Sequence, residues 1–307
     1  MLYTEDVLED DMKNTIRPEK IHKHVYLNQG IIYDRKYTKA GELRDLHISL
    51  LTTVGRRNAD AEAQPCMVWV CGGAWRGGRE RAAEMLPELT YLAEEGIIIA
   101  AVEYRILGEA VFPAQIEDVL TAVRYLRTNA EKYHIDPERI GIMGSSAGGH
   151  LTILAANNDG QFDTEMYNTV SSHVKCAIDM YGIADIEAVY RFNINALKNG
   201  QRTRTRDPWH FPESELLGDL PVNVLAAAKR AGGINGINDR TCPVLILHGN
   251  DDHVVNIEQS EMYYQALKDN GRDVTYYVLD GADHGSDEFF QTDVQKIILD
   301  YLKDKLL

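Results

Sequence analysis

A mostly parallel β-sheet covered by helices on both faces is the α/β fold class this sequence predicts, on three observations. Continuous apolar runs of strand length recur along the chain, segments with helical spacing alternate with them, and the alternation continues from about residue 65 towards the end of the 307 residues. A run that is apolar throughout suits a strand buried on both faces, as a parallel sheet requires.

Before this rhythm begins, "KHVYLNQGIIYDRK" and "RDLHISLLTTV" alternate in the manner of antiparallel edge strands. "PCMVWVC" (65–71) and "GIIIAAVEYR" (96–105) then read as buried strands. Residues 79–94 carry helical spacing between them, with an internal proline placed to kink or divide the segment. Residues 113–133 set Ile116, Val119, Val123 and Leu126 on one face of a helix, with Pro113 at its start. A turn, "DPER" (136–139), leads to the strand "IGIM", and "AGGHLTILAANN" follows as a helix. Strands at 174–182, 242–249 and 273–281, a helix at 257–271 and a closing helix from "DEFF" onwards complete the series. Residues 185–240 interrupt it. They are too long for an ordinary connection and too polar for a second core, so they predict a partial cap inserted into a single domain spanning 1–307.

The composition is globular, with 44% hydrophobic residues. A net charge of -15, from 47 acidic and 32 basic residues, argues against a nucleic-acid partner and against anionic membranes. No apolar run reaches membrane-span length, and the acidic N-terminus lacks the basic and apolar regions of a signal peptide, so a cytoplasmic location is expected. Cys66, Cys71, Cys176 and Cys242 form no CxxC pair and read as reduced core residues.

"IGIMGSSAGGH" (140–150) offers two adjacent serines between a strand and a helix. Gly144 to Gly148 satisfies G-x-S-x-G only with Ser146 in the middle. The pattern has a steric origin, because a sharp strand-to-helix turn holds the serine in a strained conformation and demands small neighbours. A phosphate loop is the competing reading, but the G-K-[ST] ending is missing. A serine hydroxyl reacts only when a base takes its proton, and an imidazole does so best when a carboxylate fixes its tautomer. "LILHGNDDHVV" and "VLDGADHGS" follow successive strands and so reach the same sheet edge, pairing Asp252 or Asp251 with His284. His253 is adjacent to Asp252, His248 ends a buried run, and His150 lies one helical turn after Ser146; each is less suited to act as the base. After "CMVWV" the loop Cys71-Gly-Gly-Ala-Trp75 can aim the Gly73 and Ala74 amides at a developing oxyanion, and Ala147 offers a third from a helix start. Trp75 reads equally as a pocket wall or a core aromatic.

Together "CGGAW", "AVEYR", "FPAQIEDVLTAVRYLRTNAEKYHIDPERIGIMGSSAGGHL", "LILHGNDDHVV" and "GADHG" resemble the α/β-hydrolase superfamily, in its esterase and lipase branch of acetyl xylan esterase-like and feruloyl esterase-like proteins. The resemblance covers roughly 65–300. It implies ester hydrolysis through an acyl-enzyme without cofactor or metal, with Ser146 as nucleophile, His284 as base, Asp252 as the acid of H-G-x-x-D, and Gly73, Ala74 and Ala147 as oxyanion donors. Cys71 departs from the pattern, standing where relatives carry a histidine that can pin the oxyanion loop. The expected substrate is a small ester, preferentially a short-acyl ester such as an acetylated carbohydrate, with Tyr181, Trp209, His210 and Arg105 available to a polar leaving group. An exopeptidase with the same three residues and an inactive hydrolase-fold binding protein are the alternatives. Oligomeric state is not legible.

Overall fold

The computed structural model describes residues 24–55, 61–77, 79–201 and 205–307. The acidic N-terminus and residues 202–204 of the insertion lie outside the described residues. Eight strands form one sheet: β1 (Tyr26–Tyr37), β2 (Leu43–Thr52), β3 (Gln64–Val70), β4 (Ile98–Val102), β5 (Ile135–Ser145), β6 (Ala177–Met180), β7 (Val244–Gly249) and β8 (Val274–Leu279). Their spatial order is β1-β2-β4-β3-β5-β6-β7-β8. β2 pairs antiparallel with β1 and with β4, and every later neighbour is parallel. This is the α/β-hydrolase architecture, a central mixed sheet flanked by helices with an inserted cap region.

Position in the sheet explains the residue types. β4 and β7 are buried along their whole length, matching the apolar runs Ile98–Val102 and Val244–Leu247, whereas β1 at the edge is largely exposed. Parallel pairing aligns the C-terminal ends of β3, β5, β6, β7 and β8, so the five loops that leave them share one edge of the sheet.

The local expectations hold with four adjustments. The segment 113–133 is not one helix but two, Ala114–Thr128 and Ala130–Tyr133, parted at Asn129. Pro87 divides the segment after β3 into Arg79–Glu84, a 3-10 turn Pro87–Leu89 and Thr90–Glu94, since proline lacks the N–H an unbroken helix needs. The "DPER" stretch is not a free turn before β5 but its first part. Gln64 pairs with Ile135 and Cys66 with Ile140, so the intervening residues bulge while Asp136 accepts the Glu138 amide. The closing segment is not one helix: Asp287–Phe290 is a 3-10 turn, extended backbone at Gln291 interrupts it, and Thr292–Lys305 follows. All four cysteines are buried and free.

Between β6 and β7 the insertion folds into the helices Ile186–Lys198, Pro212–Leu217 and Leu225–Ala231 with short 3-10 turns. Asp185 caps the first by accepting the Glu187 and Ala188 amides. Buried bonds tie the insertion to the body: Gln259 accepts the Ala184 and Asp185 amides, Asn157 donates to Gly233 O, and His150 Nε2 meets Ala231 O at 2.7 Å.

Candidate active site

Ser146 stands between β5 and the helix Ala147–Ala156 with φ 56° and ψ -119°. A side-chain-bearing residue is held there only when its surroundings impose it. A Cβ on Gly144 would lie 2.5 Å from Gly148 O, and one on Gly148 would lie 2.0 Å from Val70 O, so both neighbours must be glycine for the turn to close. Ser146 itself is buried but keeps its hydroxyl at the wall of a cleft.

Two other loops meet it. His284, from the loop after β8, places Nε2 2.9 Å from Ser146 Oγ and Nδ1 2.7 Å from Asp252 Oδ2. Asp252, from the loop after β7, accepts the Val254 and Val255 amides at its other oxygen, both at 2.8 Å. Beneath the loop, buried His248 brings Nε2 to 3.0 Å from Val255 O and 3.3 Å from Asp252 Oδ2, with Nδ1 2.6 Å from Ser260 Oγ. A carbonyl only accepts, so Nε2 of His248 carries the proton. Burial pushes the Asp252 carboxyl up, but the hydrogen bonds from His248, His284 and the Val254 amide outweigh it and hold the group well below the usual carboxylate range. Asp252 is therefore ionised at neutral pH. It keeps the imidazole proton on Nδ1 and leaves Nε2 free to receive the Ser146 proton.

The other acids and histidines stay outside this series, although His253 and Asp283 also line the cleft. Asp251 is solvent-exposed and faces exposed His253 at 3.8 Å, while Asp283 accepts the His253 and His284 amides. His150 is wholly buried. Arg105 is not available to a leaving group: it is engaged by both Asp118 oxygens at 2.8 Å. Trp209 and His210 are exposed and do not line the cleft. Tyr181 is buried behind the site, its ring centroid 4.8 Å from that of His284 and 4.5 Å from that of Phe289. It backs the imidazole and does not reach into the cleft, and only its place at the end of β6 signals this role in the sequence.

The loop after β3 has φ of 108° at Gly73, 54° at Ala74 and 56° at Trp75. Among the described residues, the amides of Gly73, Ala74 and Ala147 donate to no protein acceptor. They come from the two chain segments flanking Ser146, as donors to one oxygen would. Trp75 is 1% exposed and lines the cleft. The cleft has a volume of about 820 Å3. Ile183, Val189, Phe192 and Phe211 give it an apolar wall, and Asn193, Gln201 and Glu213 add polar groups from the cap side. Among the described residues no group of three or more His, Cys, Asp or Glu is placed to hold a metal, and no helix is long and apolar enough to cross a membrane.

Two buried groups beneath the site make stability depend on pH in opposite senses. Burial pushes the Asp179 carboxyl, packed against Gly149 and Gly182, up to about 7. Its contribution is fully present below about pH 4, the unfolded value, and is lost as pH rises towards 7. Burial pushes His150 down to about 4 against the opposing bond to the Ala231 carbonyl. Its contribution is present above about pH 6.5 and is lost as pH falls towards 4. Asp179→Asn removes only the first trend. Relative to the unsubstituted chain, this variant should gain about 3 kcal/mol between pH 4 and pH 7 in urea denaturation. A pH-independent difference would show that Asp179 is not protonated in the fold.

A doubly covered α/β sheet whose loop edge joins a serine, an imidazole and a carboxylate in hydrogen-bonded series defines the α/β-hydrolase class. Within it, the chain belongs to the BD-FAE family, whose model matches residues 56–267. It is 30% identical over 241 residues to "Esterase LipC" of Mycobacterium tuberculosis, covering 78% of this chain and 57% of that protein. Across LipC and two further proteins of the same organism, "Probable carboxylic ester hydrolase LipM" and "Esterase LipQ", the chain spans about half the length of the curated relatives it matches. Among solved structures, a "truncated form of carbohydrate esterase from gut microbiota" aligns with TM-score 0.74 and 25% identity over 94% of this chain and 98% of that one. A "bifunctional GH43-CE" of Bacteroides eggerthii aligns with TM-score 0.73 and 26% identity over 91% of this chain and 38% of that one.

Proposed function

We propose that the chain is a serine esterase that hydrolyses short-acyl carboxylic esters, acetylated small carbohydrates among them, through an acyl-enzyme. The observation that carries this reading is the unbroken series Ser146 Oγ, His284 Nε2, His284 Nδ1 and Asp252 Oδ2, with contacts of 2.9 and 2.7 Å at its two junctions.

In this reading Ser146 Oγ forms a bond to the ester carbonyl carbon as its proton passes to His284 Nε2. The carbonyl electron pair moves onto oxygen, which the Gly73, Ala74 and Ala147 amides receive. Collapse of the tetrahedral species breaks the carbon–oxygen bond to the alcohol, which leaves with the proton from His284. Water then gives its proton to His284 and attacks the acyl-enzyme, and the reverse transfer restores Ser146 and releases the acid. Asp252 stays ionised throughout and stabilises the imidazolium. The carbohydrate-esterase neighbours support an acetylated sugar as substrate, and the polar groups of the cap side suit a hydroxylated alcohol portion.

One panel of acetyl, butyryl and feruloyl esters and aminoacyl amides, compared under the same conditions, tests the reading. The highest kcat/KM is expected for acetyl esters. A preference for the amides would replace it with exopeptidase activity.

A further inference from the structure

We propose that His150 is a positioning residue for the oxyanion loop: through the indole N–H of Trp75 it locks the loop that carries Gly73 and Ala74 to the helix that carries Ala147. The inference rests on the reading of Ser146 as nucleophile and deepens it.

The two halves of the donor set belong to separate parts of the chain. Gly73 and Ala74 leave β3, whereas Ala147 opens the helix after β5. Donors act on one developing oxyanion only if their mutual spacing is held, because a small displacement at a reacting centre has a large kinetic cost. Trp75 directly follows Ala74, and His150 lies in the first turn of the helix begun by Ala147. Trp75 Nε1 donates to His150 Nδ1 at 3.1 Å, with the rings edge to face at 5.2 Å between centroids. This bond therefore joins the two donor-bearing segments close to the donors themselves.

The loop requires such a tie. Ala74 and Trp75 both occupy the left-handed region, which residues with a Cβ adopt only under imposed contacts. Main-chain bonds from Arg76 N to Gly73 O and from Leu107 N to Trp75 O, and the Tyr104 hydroxyl on Cys71 O, restrain the loop from the β3 side. The thiol of Cys71 is a weak hydrogen-bonding group, and the tie to the Ser146 helix runs through Trp75.

The imidazole is set for this duty. Ala231 O lies 2.7 Å from His150 Nε2 and can only accept, so Nε2 carries the proton and Nδ1 presents its lone pair to the indole. Burial, which pushes the ring down to about 4, keeps that tautomer neutral across the working pH range. Because Ala231 ends a cap helix, the same ring fastens the cap, the nucleophile helix and the oxyanion loop at one point.

Trp75→Phe keeps an aromatic ring, though a smaller one, and deletes the N–H. His150→Leu deletes both ring bonds, and His150→Gln keeps one acceptor and one donor. Trp75→Phe and His150→Leu should each lower kcat on an acetyl ester by about 10- to 100-fold while KM stays within about twofold. Affinity for a trifluoromethyl ketone, which forms a tetrahedral oxyanion on Ser146, should fall in parallel. The double variant should be no worse than either single one, and His150→Gln should recover most of the loss. A purely packing role would lower the melting temperature without this split between kcat and KM. Should His150→Leu fail to fold, Trp75→Phe decides alone. Trp75→Phe with kcat and ketone affinity within twofold of the unsubstituted chain, or multiplying losses in a folded double variant, would overturn the proposal. Ser146→Ala, assayed alongside, separates the two levels: an unsubstituted chain that is active and Ser146-dependent, with unaffected Trp75→Phe, refutes only the role of His150. Activity that survives Ser146→Ala removes the underlying reading as well.

Discussion

Ser146→Ala should abolish labelling by a fluorophosphonate and lower kcat on an acetyl ester by about 10^4- to 10^6-fold. The change is confined to one oxygen. Alanine keeps the Cβ, so the constraints set by Gly144 and Gly148 around the turn still apply and the backbone has no new freedom. What is lost is the hydroxyl 2.9 Å from His284 Nε2, the atom that would bond to the carbonyl carbon or to phosphorus. Residual turnover would come from the oxyanion donors acting on a water-borne attack. The melting temperature should change little, so a folded, unlabelled and inactive protein is the expected result. Ser145→Ala provides the contrast: Ser145 ends β5 and its neighbour Tyr181 lies outside the cleft lining, so labelling should persist. If labelling instead survived Ser146→Ala and vanished with Ser145→Ala, the assignment of the nucleophile between the two serines would be reversed.

The sheet and the sharp turn were legible because both rest on local rules. Uniformly apolar strands signal burial on both faces, and a serine flanked two residues away on each side by glycine signals a turn with no room for a Cβ. The meeting of Asp252 with His284 across 32 positions was legible for a topological reason: loops leaving successive parallel strands share one edge. Relations created by packing between distant segments were not legible. Arg105 read as a free cation because its partner, Asp118, is set on a helix face only after the chain turns back. Tyr181 read as a polar contact, but the loop after β8 folds over it and makes it a support for the imidazole. "DPER" carries strong turn signals, which the pairing of Gln64 with Ile135 overrides. The bond between Trp75 and His150 links residues 75 positions apart, and no local pattern announces it.

Asp252→Asn should lower kcat by about 10^4-fold, while Asp251→Asn should leave it within about twofold. The two neighbours look alike in sequence and differ completely in surroundings. Asp251 is exposed and its closest charged partner is a solvent-facing histidine 3.8 Å away, a contact of little energetic weight. The side chain of Asp252 is buried, with one oxygen engaged by two amides at 2.8 Å and the other by His284 Nδ1 at 2.7 Å. In the Asp252→Asn variant the two amides retain the carbonyl oxygen of the new side chain, so its NH2 group falls opposite His284 Nδ1. An N–H facing that nitrogen favours the tautomer with the proton on Nε2, and Nε2 then cannot accept from Ser146. The same NH2 group meets the His248 Nε2–H, which costs a further hydrogen bond without disturbing the backbone. The loss should therefore fall on kcat more than on KM, and raising the pH should restore part of it as hydroxide replaces the missing base. Comparable kcat in the two variants, or a larger loss for Asp251→Asn, would show that the carboxylate at 252 does not orient the imidazole.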